Sequence, residues 1–413
     1  MDKKQLKIAV FHNLPSGGAK RSLYTYIQYL TKHGHIVDVY IPETANEEYL
    51  PLEEVANHIY LYNVKKSFFR EKLYSIFSYV PAIIRRVSVN NVFNSEIQIA
   101  EDLNKSDYDI VYCEQDQFTM TPIILKYLTK TTVYYCQQPV RRDEILTKVN
   151  NQKTKSGFFN NPLIKPFANY FVNYIETRDY DKDRELAEYS TNILANSYFS
   201  HENILRQYGK NSYVSYIGVD TEKFHPLNLR RENVVLSVGT CIPPKGFDFL
   251  IKSIAQIPKA TRPKLIIVGN SSDQLWVDFL KQLAQEKEVE LKILSMISDD
   301  ELIRLYNKAK LVVYSPYLEP FGYVPLEAMA CGTPVVGVKE GGVKETVLHN
   351  KTGLLTQRDE KAFANAIIKL STDEQMWNRF SQTGIRYINS FWTLEHSGQR
   401  LLNHIYRILE EED

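Results

Sequence analysis

Short runs rich in β-branched and aromatic residues alternate with stretches at helical spacing along most of this 413-residue chain, and that alternation limits the fold more than any other feature. In the first half, residues 7–13, 37–42, 108–114, 131–137 and 192–197 read as strands. Strands separated by helices need crossover connections, so a mostly parallel α/β sheet is expected. The pattern runs on to 213–217 and breaks at Gly218-Val219-Asp220, where a polar stretch with Pro226 and the pair Arg230-Arg231 follows. It then restarts with candidate strands at 233–238, 264–268, 290–294, 311–315 and 334–338, which predict a second doubly wound sheet. Leu401, Leu402, Ile405, Ile408 and Leu409 recur near helical spacing, so 394–413 is expected to be a helix packing back on the first domain. The expected domains are 1–225 and 226–393, followed by that helix.

Composition narrows the function. The 44% hydrophobic content suffices for two cores, and 50 Lys and Arg against 49 Asp and Glu leave a net charge of +1. No global field draws such a chain to nucleic acid. Cys113, Cys136, Cys241 and Cys331 are widely spaced within or beside apolar runs, which suits buried, reduced thiols and a cytoplasmic setting. No apolar run reaches the length of a membrane span, and the apolar stretch near the start is too short for an export signal.

The most informative stretch is 315–334, which follows a strand, turns through Pro320 and Gly322, and enters a short helix with Pro325 in its first turn and Gly332 at its end. A helix start beside a glycine offers free backbone N–H groups to an anion, here from Phe321, Gly322, Tyr323 and Val324. Glu319 precedes that turn and Glu327 lies within the helix; carboxylates beside phosphate donors suit hydroxyl-rich partners. Taken by spacing alone, the pair also fits a capping acid and a partnered structural acid. A second motif, 238–247, runs from a strand end through Thr240, Pro243 and Pro244 to Lys245-Gly246, where a lysine can reach a phosphate as a point charge or stand at the surface with no role.

With these motifs the chain resembles the retaining glycosyltransferases of family 4. Their signature is Glu, seven residues, Glu, matched by Glu319-Pro320-Phe321-Gly322 and Glu327-Ala328, with Gly332-Thr333-Pro334-Val335-Val336 and Gly341-Gly342-Val343-Lys344-Glu345 downstream. The resemblance implies the GT-B fold, two Rossmann-like doubly wound domains facing a central cleft. It also implies that Glu319 contacts donor sugar hydroxyls, that Glu327 holds the ribose, and that Lys245 meets the donor pyrophosphate. Relatives usually carry an arginine where this chain has Thr240, so Lys245 is left as the main cation of the clamp. Glu319 and Lys245 are the expected catalytic residues.

The same likeness places the loop with Gly17 and Gly18 toward the donor phosphates and the acceptor, although Gly-Gly alone also marks an ordinary tight turn. Gln137 or Gln138 stands near the place where many relatives have a sugar-binding histidine; an amide can position a sugar but does not titrate as a base, and a role in shaping the loop fits these residues equally well. No close histidine pair and no convincing paired-aspartate loop is present, so neither a metal site nor an obligatory cofactor is expected. The expected activity is retaining transfer of a hexose from a nucleotide-diphosphate sugar to a carbohydrate or lipid-linked acceptor, with a non-catalytic sugar-nucleotide-binding protein as the alternative. A dehydrogenase is disfavoured because neither sheet opens with Gly-x-Gly-x-x-Gly. Within 65–89, Lys65, Lys66, Arg70, Lys72, Arg85 and Arg86 accompany many aromatic and aliphatic residues, which suits peripheral binding to an anionic membrane or an ordinary helical pair filling a core.

Overall fold

The computed structural model describes residues 4–64, 81–140, 180–269 and 274–412. The basic, aromatic stretch 65–80 lies outside them, as do the side chains of Arg85 and Arg86. Contacts divide the described chain into two units, one running to Ile217 and resuming at Ser397, the other spanning Gly218–His396.

The first unit is a seven-stranded parallel sheet. Its strands are β1 (Lys7–Asn13), β2 (Ile36–Pro42), β3 (His58–Tyr62), β4 (Ile110–Asp116), β5 (Thr132–Cys136), β6 (Asn192–Ala195) and β7 (Tyr213–Val214), in the order β3-β2-β1-β4-β5-β6-β7. Ile8 sits opposite both Val37 and Ile110, so β1 is central and its apolar run is buried on both faces. Helices α1 (Gly18–Lys32), α2 (Pro81–Asn104) and α3 (Tyr198–Tyr208) belong to this unit. Phe11, Ile99, Leu103, Val111, Tyr134 and Ile204 belong to one buried cluster. The sheet order reverses at β1/β4, and in open α/β sheets ligands collect beyond the carboxyl ends of the strands near such a switch.

The second unit repeats the plan with β8 (Glu232–Val238), β9 (Lys264–Gly269), β10 (Leu291–Ser295), β11 (Ala309–Tyr314), β12 (Val335–Val338) and β13 (Gly353–Thr356), ordered β10-β9-β8-β11-β12-β13 and parallel throughout. Helices α4 (Phe247–Ala255), α5 (Gln274–Glu286), α6 (Asp299–Lys308), α7 (Tyr323–Ala330), α8 (Val343–Thr346), α9 (Glu360–Thr372) and α10 (Glu374–Phe391) accompany it. Val235, Leu250, Leu265, Val313, Val336 and Phe363 lie in its core. The order reverses here at β8/β11, the two strands that lead into the Lys245 and Glu319 loops.

The last helix, α11 (Leu394–Glu412), packs on α1 within the first unit. A Cβ added at Gly398 would lie 2.0 Å from Cγ of Tyr29, so the glycine is what lets the two helices approach. Tyr406 Oη donates to the Lys4 carbonyl at 2.9 Å nearby, and Arg400 Nε donates to the Tyr216 carbonyl at 3.3 Å. Gly398→Ala is therefore expected to destabilise the protein by about 1–3 kcal/mol, because the overpacking cost exceeds the smaller gain in helix propensity. Denaturant titration checks this; an unchanged or raised midpoint would mean that the Tyr29 ring moves aside freely.

Candidate functional site

After β8 the chain turns through a single 3₁₀ turn, Pro243–Lys245, whose two prolines fix the backbone angle at which Lys245 is presented. Gly246 ends that turn with φ 67°, and a Cβ there would lie 2.3 Å from the Ser315 carbonyl oxygen, so only glycine fits. The Lys245 stem passes beside Gly239, where an added Cβ would be 3.5 Å from Cδ. Two hydrogen bonds tie this loop to the one after β11: Ser315 Oγ donates to the Gly246 carbonyl at 2.9 Å, and Tyr317 N–H donates to the Pro244 carbonyl at 2.8 Å.

The result is a direct ion pair between residues that β8 and β11 deliver separately. Lys245 Nζ donates to both carboxylate oxygens of Glu319, at 2.9 and 2.8 Å, and both side chains are about four-fifths buried, with relative exposures of 23% and 21%. The Glu319 backbone is packed equally closely. Gly341 has φ 57°, a Cβ on it would meet the Glu319 carbonyl oxygen at 2.3 Å, and Gly342 N–H donates to that same oxygen at 2.8 Å.

Helix α7 begins three residues after Pro320. Gly322 stands at its N-cap with φ 102° and makes no side-chain cap bond to the first turn, where Tyr323 and Val324 lie; Phe321 is buried just before it. Glu327 is buried on this helix at 4% exposure, and Tyr306 Oη donates to its Oε2 at 2.6 Å. Burial, with Glu319 and Glu327 nearby, pushes the Tyr314 phenol well above its ordinary range and keeps it a neutral neighbour of both acids. Thr240 is half-buried and its carbonyl accepts the Ile242 N–H at 2.8 Å.

Two arginines that the motifs did not single out hold this arrangement. Arg358 donates to the Ser315 and Pro316 carbonyls at 2.8 and 2.9 Å, forks onto Glu340 at 2.9 and 2.7 Å, and lies 3.7 Å over the Tyr317 ring. Arg231, part of a charged pair in the sequence, turns inward to the Tyr306 carbonyl at 2.8 Å and the Cys331 carbonyl at 3.1 Å, near the end of α7. Burial lowers its guanidinium to about 10, which leaves it charged at neutral pH.

Gly17, Gly18, Gln137 and Gln138 form a separate group in the first unit. Gly17 precedes α1 and a Cβ there would meet open space. His12, Lys20 and Glu47 form a polar triad whose first two side chains are fully buried. Leu14 N–H donates to His12 Nδ1 at 3.2 Å, so Nε2 carries the proton and donates to Glu47 Oε1 at 3.1 Å, while Lys20 also bonds Glu47. Burial pushes His12 down to about 4 and lowers Lys20 as well. Burial alone would raise Glu47, but hydrogen bonds from His12, Lys20 and the Leu52 N–H bring it down to about 2. Gln137 and Gln138 follow β5, where Gln115 accepts the Gln138 N–H at 3.3 Å and Ser200 Oγ donates to the Gln137 carbonyl at 2.8 Å. All four cysteines are free and buried. Among the described residues no group of three or more His, Cys, Asp or Glu is placed to hold a metal, and no helix is long and apolar enough to cross a membrane.

Residues 219–387 match the family model described as Glycosyl transferases group 1. The putative glycosyltransferase YtcC of Bacillus subtilis is 27% identical over 219 residues, 47% of this chain and 54% of that protein. Mouse alpha-1,3/1,6-mannosyltransferase ALG2 is 26% identical over 286 residues, covering 65% of this chain and 66% of the relative. The chain spans about half the length of several of the curated relatives it matches. Among solved structures, Anabaena HepE in complex with UDP and glucose superposes with a TM-score of 0.73 at 19% identity, covering 98% of this chain and all of that one. By fold, then, the chain is a GT-B protein, and by sequence its second unit is similar to the glycosyl transferases of group 1.

Proposed function

We propose that the protein transfers a hexosyl group from a nucleotide-diphosphate sugar to a hydroxyl of a carbohydrate or lipid-linked acceptor, with retention of anomeric configuration. The observation that carries this reading is the Lys245–Glu319 pair beside the glycine N-cap of α7. A cation and a cluster of backbone donors suit a diphosphate, and a carboxylate among them suits the hydroxyls of the attached sugar. In the proposed step the bond from the anomeric carbon to the β-phosphate oxygen breaks and its electron pair goes to the phosphate. Lys245 and the amides of 321–324 stabilise that charge. The acceptor oxygen bonds to the anomeric carbon from the same face and passes its proton to the departing phosphate oxygen. Glu319 orients the sugar, and Glu327, held by Tyr306, binds the ribose.

Relatives named as a mannosyltransferase and as D-inositol 3-phosphate glycosyltransferases, and a neighbour solved with UDP-glucose, favour a nucleotide-sugar donor. The basic, aromatic sequence of 65–89 is compatible with a lipid-linked acceptor at an anionic membrane and equally with an ordinary helical pair. One observation favours a binder without turnover: Thr240 stands where the resembled family carries a second cation. A panel of UDP-, GDP- and ADP-sugars, assayed for nucleoside diphosphate release with simple glycoside acceptors, separates the two. Release with an α-linked product from an α-linked donor is the expected result. Binding of a nucleotide sugar without release would support the binder, and no binding at all would overturn both.

A further inference from the structure

Glu114 is a fully buried carboxyl at the carboxyl end of β4, outside every motif described above. Tyr112 Oη donates to its Oε1 at 2.8 Å, Gln137 Nε2 donates to Oε2 at 3.2 Å, and the Gln115 N–H approaches Oε2 at 3.4 Å. Gln137 Nε2 also donates to Ser22 Oγ on α1 at 3.3 Å, and that hydroxyl spends its own proton on the Ala19 carbonyl at 2.8 Å. Both partners of Nε2 are therefore acceptors, and the amide has one orientation, nitrogen inward. Its oxygen takes no hydrogen bond among the described residues.

We infer that Glu114 is a positioning residue that locks Gln137 so that its amide oxygen faces outward as a hydrogen-bond acceptor for a sugar hydroxyl. The assignment rests on the glycosyl-transfer reading and adds to it a positioning residue and the orientation of the Gln137 amide. An outward amide oxygen accepts from a hydroxyl and repels a phosphate, so this corner of the first unit is built for sugar rather than for diphosphate. Its location agrees, since β4, β5 and α1 converge beyond the carboxyl ends of the strands beside the switch in sheet order. Burial pushes Glu114 up to about 8, so both charge states are accessible near neutral pH. The lock survives protonation, because a proton on Oε1 is donated to the Tyr112 hydroxyl while Oε2 continues to accept from Gln137.

The test is a double-mutant cycle on kcat/KM for nucleoside diphosphate release, using Glu114→Leu, Gln137→Ala and their combination, with circular dichroism confirming each fold. Each single change is expected to lower kcat/KM by about tenfold, the order of one hydrogen bond, and Glu114→Leu is expected to cost little once Gln137 is already alanine. Glu114→Gln, which can accept from Gln137 and donate to Tyr112, should retain most activity. Should Glu114→Leu not fold, Glu114→Ser takes its place in the cycle. A rise in donor KM assigns the hydroxyl to the donor sugar, and a rise in acceptor KM assigns it to the acceptor. Full additivity in an active enzyme, or Glu114→Gln falling as far as Glu114→Leu, overturns the inference alone. A wild type that neither binds nor cleaves any nucleotide sugar overturns the functional reading along with it.

Discussion

Glu319→Gln is expected to leave the fold intact, lower turnover by about two orders of magnitude or more, and at the same time tighten the binding of nucleoside diphosphate. The two effects have different origins. Turnover falls because a carboxylate that orients the sugar and faces the charge developing at the anomeric carbon is replaced by a neutral amide. Binding tightens because Glu319 competes with the diphosphate for Lys245: both of its oxygens lie within 2.9 Å of Nζ. A diphosphate must displace that partner and then sit beside its negative charge. Removing the charge removes the competition while Lys245 stays in place. The fold should survive because an amide keeps the shape of the carboxylate and can still accept a hydrogen bond from Lys245, and because the loop is held by Ser315, Arg358, Gly341 and Gly342 through other contacts. Steady-state kinetics and calorimetry with the diphosphate product check both signs. Wild-type turnover, or a weaker diphosphate complex in the variant, would show that Glu319 does not act at the diphosphate-sugar junction.

Which parts of this arrangement a sequence can carry depends on the range over which each interaction acts. The strands around β1 and β8 were legible because parallel strands buried on both faces appear as short apolar runs bounded by turn residues. β3 and β13 were not. β3 is an edge strand with much of its His58–Tyr62 run facing solvent, and β13 has only four residues, the first a glycine, so neither presents a clear apolar run or alternation. The same division runs through the site. Lys245-Gly246 and the turn before α7 are local patterns with local physical causes, but the salt bridge between Lys245 and Glu319 joins positions 74 residues apart and has no local signature. Arg358 is a more distant case, an isolated arginine in a loop whose carbonyl partners lie more than forty residues away. Glu114 was hidden for another reason. It falls inside a run legible as a strand, and nothing along the chain marks its side chain as buried against a glutamine 23 residues on. Nothing along the chain marked His12 either; burial beside Glu47 makes it structural.

Lys245→Ala is expected to weaken nucleoside diphosphate binding by about 1.5–3 kcal/mol, the range for hydrogen bonds to a charged partner, with the result near the upper end. Two features of the site set that position. Thr240 occupies the place where the resembled family has an arginine, so its hydroxyl replaces a full charge and no second cation from that loop shares the load. Lys245 also neutralises Glu319, and its removal leaves an unpaired carboxylate beside the incoming diphosphate, so the variant loses an attraction and exposes a repulsion. The second contribution can be isolated. In the Lys245→Ala/Glu319→Gln double variant the repulsion is absent, and the complex should recover part of the affinity lost in Lys245→Ala alone. Neither contribution should survive high salt unchanged, since the pair is about one-fifth exposed and screening reaches it in part. Calorimetry of UDP and GDP against the four proteins at low and high ionic strength measures these terms. Equal affinity of wild type and Lys245→Ala would remove Lys245 from the diphosphate site. An unchanged loss in the double variant would keep the lysine there but would show that Glu319 turns away from the phosphates once the ligand is bound.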